Sequence, residues 1–119
     1  MKRDMDLLRE ILLEVEKAPA MQMWDSRPLV GYSDVEVFAH VKLAEDAGLV
    51  VASFMTGYGA VVQRLTNGGY DFLEASKQPA LWEQAKHQLV VQGLPITVAT
   101  IKAVLQALIQ HQLAKLAIA

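Results

Sequence analysis

A chain of 119 residues has room for one domain with a modest core, and 53 % hydrophobic against 20 % charged residues excludes a disordered tail. The absence of cysteine excludes disulfides, thiol catalysis and zinc held by sulfur. A formal net charge of −2 lacks the basic footprint of a strong nucleic-acid binder, which counts against nucleic acid while leaving room for a local patch.

Asp4 to Lys17 predicts an opening helix. Met5, Leu8, Leu12 and Val15 recur at helical spacing, Leu7 and Ile11 widen the stripe, and Asp4 and Asp6 suit the positive end of the helix dipole. Lys2 and Arg3 run into those acids rather than into an apolar stretch, so no secretory signal is expected and a cytoplasmic location is. Ala18-Pro19 stops the helix, and an irregular connection over 20–32 follows, with Arg27 to Tyr32 as a candidate short edge strand.

Ser33-Asp34-Val35-Glu36 has the spacing of a capping box, in which serine and glutamate each satisfy the other's backbone N–H. The helix it opens, 33–47, is expected to turn Val37, Phe38, Val41, Ala44 and Ala47 inward, with Gly48 as a left-handed stop. Residues 49–54 and 60–65 are β-rich runs around the turn residues Met55 to Gly59, which predicts a hairpin packed on helix 33–47. Thr66 caps a helix to about Ser76, with Tyr70, Phe72 and Leu73 as its buried side. Pro79 opens another to about Gln92, and Thr97 caps a last helix to about Ala117.

The expected fold is therefore mainly α with a small antiparallel β-hairpin, of the α+β class. It reads as a winged-helix-like core over 1–76 with a C-terminal helical extension of the same domain over 77–119. Lys102, Gln106, Gln110, His111 and Lys115 interrupt the apolar C-terminus, so no membrane span is expected.

Two segments carry a family resemblance. Val41 to Val50 resembles the end of the recognition helix in bacterial winged-helix repressors, and Arg64 to Leu73 resembles their second wing strand turning into the next helix. Met1 to Leu7, Gly31 to Leu49, Arg64 to Leu73 and Trp82 are similar to a family of bacterial and phage proteins classed as a domain of unknown function. That resemblance implies a winged-helix-like fold and a link to phages or mobile elements, and it implies no activity. The chain departs from the family at Asn67 and Tyr70, where tryptophan and histidine are usual.

Candidate sites are few. Glu83 and His87 stand four apart on one helix without a third ligand, so no metal or cofactor is expected. Ser33 and Ser53 lack a histidine–acid pairing, and the chain is read as no enzyme. Gly57-Tyr58-Gly59 and Gly68-Gly69 lack the lysine context of a phosphate loop and read as turns.

If double-stranded DNA is the partner, Lys42, Arg64, Tyr58, His40 and Arg27 are the residues placed to touch it. The same helix carries Asp34, Glu36 and Asp46 against the single Lys42, a poor surface for a polyanion. The leading expectation is a DNA-binding or transcription-regulatory protein of phage or mobile-element type; the alternative is a winged-helix scaffold for protein–protein interaction, such as a phage-encoded adaptor or inhibitor of a host complex. The last helix is apolar over most of its circumference. It could be clamped inside one chain, but the expectation is a homodimer with Leu105, Leu108, Ile109, Leu113 and Leu116 at its interface.

Overall fold

The structure, a computed structural model, describes residues 1–26 and 29–118. Its elements run α1 (Met5–Glu16), β1 (Trp24–Asp25), α2 (Asp34–Asp46), β2 (Val50–Met55), β3 (Gly59–Leu65), α3 (Asn67–Ser76), α4 (Pro79–Val91) and α5 (Val98–Ile118). The α+β class is thus present, with helices dominating. Two compact units divide the chain, Met1–Leu73 and Glu74–Ala119, so the division falls inside α3.

In the first unit α1 starts where Asp4 caps it, its carboxylate accepting from the N–H groups of Asp6 and Leu7. The expected stripe is buried: Met5, Leu7, Leu8, Ile11, Leu12 and Val15. α2 opens on the expected capping box. The Glu36 N–H donates to Ser33 Oγ at 3.2 Å and the Ser33 N–H to Glu36 Oε1 at 3.0 Å. The Ser33 N–H first, and the Ser33 hydroxyl after it, favour the ionised form and hold the Glu36 carboxyl below its ordinary range. Helices α1 and α2 pack on each other and both lie against β3, which is the middle strand of a three-stranded antiparallel sheet of order β1-β3-β2.

The hairpin is where the two β-rich runs predict it. Val50 pairs with Leu65 and Met55 with Gly59, and a bulge between Val51 and Ala52 leaves Gln63 as the extra residue. Val50, Ala60, Val62 and Leu65 point into the core, while Val51, Ser53 and Met55 face outward. The edge strand is not where the sequence reading put it. It is Trp24–Asp25, paired with Val62 and Val61, and Trp24 is buried against the sheet. Arg27 and Pro28 lie outside the described residues, and Leu29 to Tyr32 form a turn closed by the Tyr32 N–H on the Leu29 carbonyl, with Gly31 at φ +89°.

The inward set of α2 also differs from expectation. Val37, His40, Val41 and Ala44 are buried, whereas Ala47 is the exposed C-cap residue and Phe38 is only half-covered. α3 buries Phe72 and Leu73, but Tyr70 faces outward. Gly68 and Gly69, read from sequence as a turn, belong to the first turn of α3.

In the second unit α4 opens on Pro79 and buries Leu81, Trp82, Ala85 and Leu89. α5 packs on α4 and, among the described residues, buries Ile101 and Leu105. Among the described residues no helix is long and apolar enough to cross a membrane.

Candidate functional site

The first unit's outward surface is organised by the notch between α2 and the hairpin. Positions 35, 38, 39, 42 and 46 of α2 share one face, because helical neighbours recur three and four apart. That face carries Val35, Phe38, Ala39, Lys42 and Asp46, with Val35 and Lys42 exposed.

Phe54, on the α2 side of β2, meets Phe38 edge to face with ring centroids 5.3 Å apart. Tyr58, in the turn between β2 and β3, meets Phe38 in the same manner at 5.5 Å. Lys42 closes the cluster, its ammonium 5.0 Å from the ring centroids of both Phe38 and Phe54. Edge-to-face pairs and a cation over a ring face are each worth about 0.5–1.5 kcal/mol, so three rings and one amine form a coherent patch.

Tyr58 is the unusual member. Its φ is +62°, directly after Gly57 at +81°, yet the residue remains 54 % exposed. A left-handed conformation costs an L-residue about 1–2 kcal/mol. Strain held at an exposed aromatic tip, rather than relieved by a glycine, is the pattern found at functional loops.

The rim of this patch is acidic. Asp34, Glu45 and Asp46 are exposed along α2, and Glu45 is anchored by accepting from the Ala52 N–H at 3.2 Å. Beyond the amino-terminal end of α2 lies an open cleft of about 520 Å³, lined by Asp6, Arg9, Glu10, Glu14, Trp24, Leu29, Val30 and Tyr32. Tyr32 registers this negative field. Burial first, then the charges of Asp4, Asp6, Glu10 and Glu36, push its hydroxyl above the ordinary tyrosine range.

The residues singled out from sequence for DNA contact separate on this surface. Lys42 and Tyr58 come together in the aromatic cluster. Arg64 is exposed on β3, and its guanidinium donates to the Leu65 carbonyl at 3.3 Å. Arg27 lies outside the described residues.

His40 is not a surface contact. It is 1 % exposed, its Nε2 accepts from the Asp4 N–H at 2.9 Å, and its Nδ1 faces the Glu36 carbonyl at 2.8 Å. An Nε2 that accepts places the proton on Nδ1, and both ring nitrogens are then used inside the fold. His40 ties the cap of α1 to the first turn of α2 and has no edge left for a ligand.

Leu105 likewise leaves the dimer-interface set, because it is fully buried within its own chain. Leu113 and Leu116 remain exposed, and Leu108 and Ile109 are half-covered.

Sequence reasoning missed five contributors. Phe54 was read only as a strand residue, and Val35 only as part of the capping box. Asp6, Glu10 and Glu14, four apart along one face of α1, carried a readable signal for the cleft. Glu83, half of the considered metal pair, reaches Lys86 at 3.2 Å, and among the described residues no three His, Asp or Glu groups are placed to hold a metal ion.

No solved structure matches the chain. A protein of Haemophilus influenzae described as "Uncharacterized protein" is 30 % identical over 118 residues, covering 96 % of this chain and all of the relative. The profile of the family described as "Hypothetical protein (DUF2513)" matches residues 2–95, which span the first unit and α4, and the chain belongs to that family.

Proposed function

We propose that this protein is a non-enzymatic binding module of winged-helix type whose α2–wing face docks a basic protein partner in preference to nucleic acid. The observation that carries this reading is Lys42. It is the only cation on the outward face of α2, and its ammonium lies over two aromatic rings, while Glu45 and Asp46 stand exposed within about one turn of it and Asp34 stands exposed at the start of the helix. A helix that enters a DNA groove needs a rim that attracts phosphates, and affinity grows with each phosphate neutralised. This rim repels them.

A protein partner meets a different surface. Exposed Val35, Met55 and Tyr58 surround the half-covered rings of Phe38 and Phe54. An aromatic and aliphatic centre inside a charged rim is the usual anatomy of a protein interface. The acidic rim and the neighbouring acidic cleft favour a partner rich in Lys or Arg, since opposed potentials speed encounter and fix register. The resemblance to bacterial and phage proteins supports a phage or mobile-element setting, where an adaptor or inhibitor of a host complex would use such a face.

A photo-crosslinking side chain at position 58, with one at exposed Gln22 as control, tests this reading. The protein captured only from position 58 is then purified, and its affinity is measured directly. Tyr58→Asn, which tolerates the left-handed backbone, and Val35→Lys are each expected to weaken it about tenfold or more without lowering thermal stability. A partner indifferent to both substitutions, or nucleic acid as the species crosslinked at 58, overturns the proposal.

A further inference from the structure

We infer that the C-terminal half of α5 is a self-pairing surface that joins two copies of this chain, an inference independent of the α2–wing reading. α5 has 21 residues against 13 in α4, the helix on which it packs. At about 1.5 Å per residue, it outruns α4 by roughly 12 Å. Its buried residues are Ile101 and Leu105 in the first half, while Leu113 is 51 % and Leu116 71 % exposed.

The exposed half is carried as a continuation of the packed first half, and in proteins most helical stability comes from packing an apolar face rather than from propensity. Ile109, Leu113 and Leu116 supply that side. Their spacing of four then three is the seam of a coiled coil, and the residues flanking the seam are Gln110, Gln112 and Ala117.

The flanks decide the occupant. Flanking residues of a single charge sign repel a twin and select a partner of opposite charge, whereas uncharged ones leave two identical seams free to meet. α5 contains no Asp or Glu, and Lys115 sits away from the seam, so no complementary pattern calls for a different protein. A twin meets the same apolar seam about a two-fold axis, and facing glutamines can bond each other. The area offered by a few turns of helix lies at the low end for specific interfaces, so association is expected in the micromolar range.

Sedimentation velocity across about 1–100 μM brackets that range. The wild-type chain of 13.1 kDa is expected to shift from monomer toward a mass twice as large. Leu113→Lys with Leu116→Lys should remain monomeric throughout, with the circular dichroism of a folded protein, because neither side chain is buried in the monomer. Should the double variant lose its fold, Gln110→Glu with Gln112→Glu places like charges at the seam and should likewise abolish the dimer. A wild-type monomer at every concentration, a dimer that both double variants retain, or a monomer that instead binds lipid vesicles through this helix overturns the inference.

Discussion

Gly69→Ala is expected to destabilise the first unit by about 3 kcal/mol or more, a large share of the stability of a small domain. A Cβ at position 69 falls 2.0 Å from the Leu49 carbonyl oxygen and 3.0 Å from its carbon. The obstacle is backbone and cannot rotate aside, so α3 must move away from the start of β2.

That movement breaks a local hub. The Thr66 N–H donates to the Leu49 carbonyl at 2.9 Å, the Gly69 N–H donates to Thr66 Oγ1 at 2.9 Å, and the Thr66 hydroxyl donates to the Gly48 carbonyl. Gly68→Ala is the internal control. Its Cβ would stand 3.7 Å from the nearest atom, an ordinary contact, and alanine in a helix should be neutral or stabilising by about 0.4–1 kcal/mol. Urea denaturation of the two variants side by side checks the pair, and equal midpoints would refute the account of this junction.

The second large effect is expected at His40. His40→Ala removes a fully buried ring and leaves the Asp4 N–H without its acceptor. Cavity formation and an orphaned donor together should cost about 3 kcal/mol. His40→Phe fills the volume but still strands the N–H, and should cost less, about 1–2 kcal/mol. A surface histidine reserved for DNA would behave otherwise, with both substitutions inside about 0.5 kcal/mol. Thermal melts of the two variants therefore separate a core role from a contact role, and a flat result would return His40 to the surface.

Much of this architecture was legible in local signals. The capping box at Ser33 and Glu36, the glycine stop at Gly48, and the two β-rich runs around Gly57 each rest on neighbours in sequence. Features that depend on distant partners were not. β1 is two residues long and exists only because β3 pairs with it. His40 was misassigned because its acceptor nitrogen is satisfied by a backbone group 36 residues away.

Ambiguity of another kind affected α5. A helix apolar on every side has no periodic signal to say which face its neighbour covers, so Leu105 was grouped with Leu113 although α5 buries the first and exposes the second. The aromatic notch shows the same limit. Phe38 reads as core from its helical spacing, and only the fold reveals that the wing leaves it half-open beneath Tyr58.

A fluorescence anisotropy titration of a labelled mixed-sequence duplex most directly tests the proposed preference of the α2–wing face for protein over DNA. At about 50 mM salt, where phosphate contacts are strongest, the wild-type protein is expected to show no saturable binding through the micromolar range. Charge reversal by Lys42→Glu with Arg64→Glu should change nothing. Saturable binding whose affinity falls steeply with added salt, and which the reversal weakens while flattening that slope by about one unit per lost contact, would contradict the account.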